Sequence, residues 1–258
     1  MIKSLNIALL GNPNTGKTSV FNALTGLSQK VGNYPGITVE KKEGLCKLDR
    51  RTNGHIIDLP GTYSLNASSM DESLVIELLL NRNSKDFPDV AVVVADIENL
   101  KRNLFLFTQV KDLGIPTFLV INMSDLMKRK GISLNLPLLE KTLDTKIALV
   151  SIRNNEGINE LKNLLLNYRQ LSTKPTISLN SIDESYFKNL EKAFPNQSLY
   201  NLWLIITQDV NFIKIVRKQV PDATEFKTES SFNLKRLQQK ETVKRYQFIN
   251  TVLKDGFH

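Results

Sequence analysis

The residues best suited to chemistry form a phosphate-loop pattern near the start of the 258-residue chain. Residues 11–18 read GNPNTGKT, which fits G-x-x-x-x-G-K-[ST], and they follow an apolar run at 7–10. Such a loop turns backbone N–H groups around phosphates, while its lysine reaches the β and γ oxygens and its hydroxyl binds Mg²⁺. The predicted nucleoside triphosphate site comprises Gly11, Asn12, Pro13, Asn14, Thr15, Gly16, Lys17 and Thr18.

A second polar segment closes the strand-like run 54–57. It reads Asp58-Leu59-Pro60-Gly61 and gives the pattern D-x-x-G. A carboxylate at this strand end can hold Mg²⁺ through water, and the Gly61 amide can face a γ-phosphate. By itself D-x-x-G is a weak signal, so the prediction depends on its place downstream of the phosphate loop.

The base is predicted from a third segment, at the end of the apolar run 117–121. Asn122-Met123-Ser124-Asp125 gives N-x-x-D, whose carboxylate accepts hydrogen bonds from N1 and N2 of guanine. Such a site rejects a base without those donors by up to roughly 10⁴-fold or more, because the buried carboxylate would stay unpaired. We therefore expect GTP and GDP rather than ATP. A later loop, Ser151-Ile152-Arg153, is expected to offer backbone amides to the guanine oxygen.

Residues 31–40, between the first two segments, read VGNYPGITVE. Their Gly and Pro residues predict a mobile loop that leads into a strand. Thr38 alone would be an ordinary strand residue, but between the two motifs it is the expected Mg²⁺ ligand, with Thr18 and Asp58. The γ-phosphate and the metal order such a loop, and hydrolysis releases it. The nucleotide contacts predicted here are Gly36, Ile37, Thr38 and Val39.

In order and spacing, these segments resemble the cytoplasmic guanine-nucleotide domain of the bacterial ferrous iron transporter B family. The matching words are GNPNTGKT, VGNYPGITVE, DLPGTYSL at 58–65 and NMSD at 122–125. The resemblance implies a GTPase switch that regulates Fe²⁺ uptake at the cytoplasmic face of the bacterial inner membrane. It also implies a covalently linked polytopic membrane segment outside this sequence, and it leaves a homo-oligomer open.

The residues expected near the phosphates also predict the rate of GTP hydrolysis. Thr62 stands where many GTPases carry the glutamine that orients the attacking water, so we expect slow intrinsic hydrolysis. The family resemblance implies that Asn14 can coordinate K⁺ together with carbonyls of residues 31–36, although Asn is also an ordinary turn residue. The predicted catalytic groups are Lys17, Thr38, Gly61 and Asn14.

Two loop residues depart from the family pattern. Ile152 follows Ser151 where Ser-Ala is usual, which places a bulkier side chain beside the base. Tyr34 stands where the family often has Trp. Ile152 is expected to alter nucleotide affinity or release, and Tyr34 is expected to alter the packing of its loop when no γ-phosphate holds it.

The fold is predicted from the alternation of strand-like and helical runs through about Arg169. It indicates a doubly wound, mostly parallel six-stranded α/β sheet with antiparallel edge pairing around 39–48, and a P-loop GTPase domain at 1–170. A linker-like stretch at 171–176 precedes apolar residues at helical spacing, including Trp203 as a core residue. We expect a smaller all-α domain at 175–258, which the resemblance makes a regulatory, GDI-like domain that favours GDP.

The net charge of +8 is compatible with two kinds of binding partner, nucleic acid and an anionic membrane surface. GTPases that act on ribosomes or RNA are often basic, yet no RNA module follows the switch segments, so nucleic acid is not expected. A basic last helix fits a juxtamembrane domain, or only a solvated helix face. Its cations are Lys235, Arg236, Lys240, Lys244, Arg245 and Lys254. A ribosome-associated GTPase and a nucleotide-binding module without useful turnover stay as alternatives.

Cysteine content and apolar runs indicate the compartment. The single cysteine, Cys46, argues against disulfides and zinc and favours a reduced cytoplasmic location. The longest apolar runs, 90–95 and 202–206, fall short of the roughly 18 residues that a membrane helix needs. We therefore expect a soluble chain.

Overall fold

The computed structural model describes residues 3–34, 37–66, 69–207 and 231–257. Its strands are β1 Lys3–Gly11, β2 Gln29–Asn33, β3 Glu40–Lys47, β4 Thr52–Asp58, β5 Val90–Asp96, β6 Thr117–Asn122 and β7 Ile147–Leu149. They form one sheet in the order β2-β3-β4-β1-β5-β6-β7. Pairing is parallel from β4 through β7 and antiparallel for β2 with β3 and β3 with β4. The predicted doubly wound, mostly parallel α/β fold is confirmed.

The sheet has seven strands within the described ranges, not the six predicted. The additional strand, β2, takes up the start of the segment that was expected to be a loop, and Asn33 pairs with Glu40 of β3. All five residues of β2 are exposed. An edge strand with two solvated faces shows no apolar alternation, so its sequence resembles a loop.

Nine α-helices lie in the described residues. They are α1 Lys17–Thr25, α2 Met70–Leu80, α3 Leu100–Asp112, α4 Asp125–Lys130, α5 Leu136–Leu143, α6 Ile158–Leu166, α7 Glu184–Ala193, α8 Leu199–Thr207 and α9 Ser231–Gly256. The structure contains no helix, over the ranges it describes, with the length and hydropathy needed to cross a bilayer.

Strand β5 shows how the two faces of the sheet are buried. All seven of its residues are buried, as expected for a central parallel strand covered by helices on both sides. Val92 and Val94 face one apolar cluster, which contains residues of α1 and α6. Ala91 and Val93 face a second cluster, which contains residues of α2, α3 and α5. The period of two along the strand therefore separates two cores.

The helical segment after residue 175 belongs to the second of these cores. Trp203 packs edge-on against Tyr186 and Phe187, so its predicted place in the core is confirmed. The same cluster continues onto α3, where Phe105 stacks on Tyr246 of α9 with ring centroids 4.9 Å apart. This apolar core runs unbroken from the sheet to the last helix, and a boundary near 170–175 stays a prediction from composition.

Arg245 differs from the expectation for the basic last helix. Its side chain is 0% exposed, and Nη1 donates to Asp112 Oδ2 at 2.9 Å while Nε donates to Glu241 Oε1 at 2.8 Å. Arg245 therefore joins α9 to α3 and cannot face a membrane or solvent. The other cations of the set, Lys235, Arg236, Lys240, Lys244 and Lys254, are exposed.

Candidate nucleotide-binding site

The phosphate loop is the turn between β1 and α1, and its geometry requires glycine at residue 16. Gly16 has φ 81°, and a Cβ there would lie 2.2 Å from Nδ2 of Asn122. That Nδ2 donates to the Thr15 carbonyl at 3.1 Å. The close approach that only glycine allows therefore ties the base motif to the phosphate loop.

Asn14 also adopts a left-handed conformation, with φ 69°. Asn tolerates this region better than most residues, which fits its role in the turn. The side chain is exposed and lines a cavity of about 260 Å³, together with Tyr63, Asp96 and Arg102. The guanidinium of Arg102 lies 3.9 Å from the centroid of the Tyr63 ring. Asn14 thus faces the segment that follows D-x-x-G.

A second cavity, of about 570 Å³, brings the other predicted phosphate and metal residues together. Lys17 lines this cavity and its Nζ forms an ion pair with Asp58 Oδ1. The cavity is also lined by Thr18, Thr38, Val39, Leu59, Pro60 and Gly61. Residues that are up to 44 positions apart in the sequence therefore line one cavity, and their roles toward a nucleotide stay a prediction.

The oxygen atoms around this cavity fit Mg²⁺. Thr18 and Thr38 offer hydroxyls, and Asp58 offers a carboxylate at the end of β4. Mg²⁺ prefers oxygen ligands and is usually held by one or two carboxylates with phosphates and water. This donor set therefore suits a metal–nucleotide complex better than a metal held by protein alone.

The guanine motif closes the site at the ends of β6 and β7. Asp125 opens α4, and its Oδ1 accepts a hydrogen bond of 2.9 Å from the hydroxyl of Ser151. Met123 has φ 62°, which is strained for a residue other than glycine. Ser124 N–H donates to the Val150 carbonyl at 3.2 Å. These contacts fix the direction of the Asp125 carboxylate.

The loop after β7 shows how Ile152 is accommodated. Residues Ile152–Asn154 form a 3₁₀ turn, and Ile152 is half-buried against the apolar cluster that contains α1. Arg153 is exposed. The bulk of Ile152 therefore packs on the protein core.

Thr62 occupies the position where many GTPases carry a glutamine, and its polar groups bond to backbone carbonyls of neighbouring residues. Its N–H donates to the Gly11 carbonyl at 3.2 Å, and its hydroxyl donates to the Ser64 carbonyl at 2.8 Å. Glu72 of α2 lies 3.4 Å from the same hydroxyl. With 1% of its surface exposed, Thr62 has no free hydroxyl to offer a water molecule.

Tyr34 anchors the end of β2. Its ring is buried, and Lys41 Nζ lies 5.9 Å from the ring centroid. Burial raises the pKa of Tyr34, and the carboxylates of Asp86, Asp58 and Glu43 raise it further. Tyr34 N–H also donates to the Val39 carbonyl at 3.0 Å, which holds residues 34 and 39 close together. Of the predicted contacts in this loop, Gly36 lies outside the described residues, whereas Ile37 is described next to Thr38.

Asp96 and Asn103 also shape the site, and the sequence analysis missed both. Asp96 ends β5, and its Oδ1 accepts hydrogen bonds from the N–H groups of Glu98 and Asn99 at 3.0 and 2.8 Å. Asn103 Oδ1 accepts from Asp96 N–H at 2.9 Å. The position of Asp96 could have indicated it as a site residue, because it ends its strand as Asp58 and Asn122 end theirs.

Comparison with known proteins decides the family. A family model described as "Ferrous iron transport protein B" matches residues 5–165, which is more than half of the chain. The chain belongs to the ferrous iron transport protein B (FeoB) family. The FeoB resemblance drawn from the four sequence segments is thereby confirmed.

Among FeoB relatives, the Fe(2+) transporter FeoB of Leptospira biflexa is 42% identical over 194 residues. The match covers 74% of this chain and 27% of the Leptospira protein. The chain therefore spans about a quarter of the length of this FeoB relative.

Solved FeoB structures match nearly the whole chain. The cytosolic domain of the T. maritima FeoB iron transporter in its apo form has a TM-score of 0.84 at 29% identity and covers 99% of this chain and 100% of that one. Its GDP form I gives a TM-score of 0.83 at 30% identity, and its GMPPNP form gives 0.82 at 29%. Both of these forms cover 100% of each chain. The likeness therefore includes the helical segment as well as the sheet.

Proposed function

We propose that this chain is the GTP-binding and GTP-hydrolysing switch domain of a ferrous iron transporter. One observation carries the proposal: Lys17, Thr38 and Asp58, from three separate motifs, line one cavity at the carboxyl ends of the strands. The names of the relatives support it, since the T. maritima domain was solved in GDP and GMPPNP forms. The Leptospira relative is named an Fe(2+) transporter.

Triphosphate binding requires Lys17 to change partners. Its ammonium now pairs with Asp58, and both side chains line the cavity that the phosphates would enter. A bound triphosphate would draw Lys17 to its β and γ oxygens, and Asp58, Thr18 and Thr38 are the residues that would hold Mg²⁺. The bound metal would neutralise charge on the phosphate oxygens. Positively polarised N–H groups at the start of α1 add to the attraction.

Guanine selectivity follows from the held carboxylate of Asp125. Ser151 donates to Oδ1 and so fixes the orientation of the group before the base arrives. A half-buried, oriented carboxylate that meets a base without two donors would lose hydrogen bonds that it makes to water when the site is empty, and that loss is the source of selectivity. Asn122 holds the phosphate loop at the correct distance through Thr15.

Hydrolysis by this site is slow in our proposal. The hydroxyl of Thr62 is already bonded to Ser64, so the attacking water must be held by backbone groups of Thr38 and Gly61. Lys17 stabilises the charge that develops on the phosphoryl oxygens. Neither Tyr63 nor Thr62 supplies a carboxamide in place of the absent glutamine.

The first test measures phosphate release from GTP and ATP by the purified chain. We expect slow, Mg²⁺-dependent release from GTP alone, with loss of activity on chelation of the metal. Asp125→Asn should lose GTP affinity and gain affinity for xanthosine triphosphate, whose C2 carbonyl can accept from the new amide. Equal hydrolysis of GTP and ATP by the unmodified chain would contradict the proposal.

Stimulation by K⁺ is part of the same proposal and rests on Asn14. The side chain is an exposed part of the phosphate loop, where its oxygen can reach a monovalent cation. Turnover should be faster in potassium than in sodium buffer, and Asn14→Gly should remove the difference because glycine keeps the left-handed backbone. Equal rates in both salts for the unmodified chain would rule the cation out.

The proposed setting is the cytoplasmic side of a bacterial membrane. The solved neighbour is named a cytosolic domain, and the part matched is 27% of the Leptospira relative. We propose that a polytopic transporter segment is covalently linked to this domain. Family membership does not support the alternative of a ribosome- or RNA-associated GTPase.

A further inference from the structure

The last helix, α9, is held with one fixed face toward the solvent. Every fourth residue from 237 to 249 is buried on its inner face. There the ion pair between Arg245 and Asp112 joins α9 to α3. At the other end, Asn135 N–H donates to the Gly256 carbonyl at 3.0 Å, which joins α9 to the start of α5. These two attachments hold α9 against rotation, so its opposite face points away from the protein.

The outward face of α9 carries charge of one sign. Between residues 233 and 254, every exposed charged side chain is a cation, and the one acidic residue of that stretch, Glu241, is buried beside Arg245. An exposed anion follows only at Asp255. The cations extend over about 29 Å of the helix, at a rise of about 1.5 Å per residue. They are Lys235, Arg236, Lys240, Lys244 and Lys254.

The stability of the helix itself does not explain this arrangement. Arg236, Lys240 and Lys244 follow one another at intervals of four residues, so adjacent cations repel each other on the helix surface. On α7 the same interval holds an ion pair, between Glu184 and Lys188. An anionic surface laid against α9 would relieve the repulsion, and it is the kind of partner that this charge pattern fits.

Two observations favour lipid headgroups over nucleic acid as that surface. Val243 lies among the cations with 55% of its surface exposed, and the boundary between headgroups and acyl chains accepts an apolar side chain. None of the exposed residues between 233 and 254 is aromatic, so the face offers no platform on which bases could stack. The face therefore suits a layer of phosphate groups with apolar material beneath it.

We propose that the outward face of α9 binds the anionic lipid headgroups of the membrane. The proposal rests on the function proposed above, because a covalently linked transporter would keep this face close to a bilayer. Such a link raises the effective concentration of the surface, so weak binding by a few cations is sufficient. Within the described ranges, no residue of α9 lines either cavity of the candidate nucleotide site, so lipid and nucleotide can be bound together.

The test measures binding of the full chain to vesicles by co-sedimentation. One set of vesicles contains phosphatidylglycerol and phosphatidylcholine in equal parts, and the other contains phosphatidylcholine alone. Arg236→Gln with Lys240→Gln removes two cations from the face and keeps good helix formers at exposed positions. Lys188→Gln with Lys192→Gln is the matched control, because it removes the same charge from the exposed surface of α7.

We expect binding to the anionic vesicles only, and loss of that binding in high salt, because salt screens the attraction. The α9 double variant should bind about 25-fold more weakly, since each cation near an anionic surface contributes about fivefold. The α7 double variant should bind within about twofold of the unmodified chain, because charges more than about 10 Å from the surface are screened. Equal binding by the two double variants, or equal binding to the two kinds of vesicle, would overturn the proposal.

A fluorescent label shows which face of the protein meets the vesicle. Cys46 is buried, so a cysteine introduced at an exposed position can be labelled selectively. The emission of a polarity-sensitive dye on Val243→Cys should shift to shorter wavelength when anionic vesicles are added. The same dye on Leu27→Cys should show no shift, because Leu27 follows α1, which packs on the opposite face of the sheet from α9. No shift at residue 243, or an equal shift at both positions, would contradict the proposed orientation.

Two further measurements separate the lipid contact from nucleic-acid binding and from the nucleotide site. A single-stranded RNA that binds more tightly than the anionic vesicles at the same salt, and less tightly to the α9 double variant, would assign the face to nucleic acid instead. GTP affinity should be the same in the unmodified chain and in that variant. If the chain binds vesicles through α9 but no guanine nucleotide, the proposed function fails and the lipid contact stands. If it binds GTP but no vesicles, only the lipid contact fails.

Discussion

Lys17 and Arg245 each pair with a buried aspartate, but their surroundings differ. The pair of Lys17 and Asp58 lines a cavity of about 570 Å³. Arg245 lies between Asp112 and Glu241, with the three side chains 0%, 1% and 4% exposed. Water or a ligand can reach the first pair, whereas the second has only protein around it.

This difference separates an ion pair that can exchange partners from one that cannot. Charges beside an open cavity can be solvated or meet a phosphate when the pair opens, so opening costs little. Charges sealed in the core have no such replacement, and removing one partner leaves the others buried and unpaired. The first pair suits a ligand site, and the second suits a permanent connection between α3 and α9. Replacing a cation by methionine in different settings tests this distinction.

Arg245→Met should have the largest effect. It leaves Asp112 and Glu241 buried close together without a cation, so we expect the free energy of unfolding to fall by about 3–5 kcal/mol. Urea denaturation followed by circular dichroism measures the change. Replacing Asp112 by asparagine and Glu241 by leucine as well should recover part of the loss, because both buried charges are removed and the asparagine oxygen can still accept from Thr176. A loss below about 1 kcal/mol in the single variant would mean that water reaches this pair.

Lys17→Met should change binding more than stability. Affinity for GMPPNP should fall on the order of 100-fold, because a hydrogen bond to a charged group contributes about 1.5–3 kcal/mol. The free energy of unfolding should change by only about 1 kcal/mol, since solvent from the cavity can reach Asp58. Calorimetric titration and urea denaturation of the same preparation give both numbers. A stability loss as large as that of Arg245→Met would remove the distinction between the two pairs.

Lys146→Met should have the smallest effect. Lys146 pairs with Glu140 at 3.0 Å on the surface, where its side chain is 59% exposed. We expect a change within about 0.5 kcal/mol in unfolding, because exposed ion pairs contribute little. GMPPNP affinity should match that of the unmodified chain. This variant gives the baseline for the lysine-to-methionine change, and a loss comparable to that in Lys17→Met would mean that the measurements do not report position.

The phosphate loop and the base motif could be predicted because each consists of a few residues that are contiguous in the sequence. Gly16, Lys17 and Thr18 lie in one turn at a strand end, and a pattern of eight residues is enough to predict that turn. Parallel strands then bring Asp58 and Asn122 to the same edge of the sheet. Sequence order and spacing were therefore sufficient to place these residues at one edge of the sheet, and their roles toward a nucleotide stay predictions.

The contacts that were missed depend on distant partners. The bond from Arg245 to Asp112 spans 133 residues, and that from Leu65 to Gln109 spans 44. Charge alone placed Arg245 on the outer face of the last helix. Its spacing held the contrary signal, because Leu237, Glu241, Arg245 and Ile249 follow one another at intervals of four and are all buried. Strand β2 was missed for the opposite reason, since exposure removed any periodic signal.

The bond from Asn122 to the Thr15 carbonyl, with Gly16 packed beneath the same amide, has a consequence for nucleotide exchange. The bond sets the distance between the phosphate loop and the base motif whether or not a ligand is bound. Because this spacing exists before a ligand binds, no binding free energy is lost in bringing the phosphate loop and the base motif together. Rearrangement during exchange should therefore be sought at residues 31–34, 37–40 and 58–66, while the spacing between Thr15 and Asn122 stays constant.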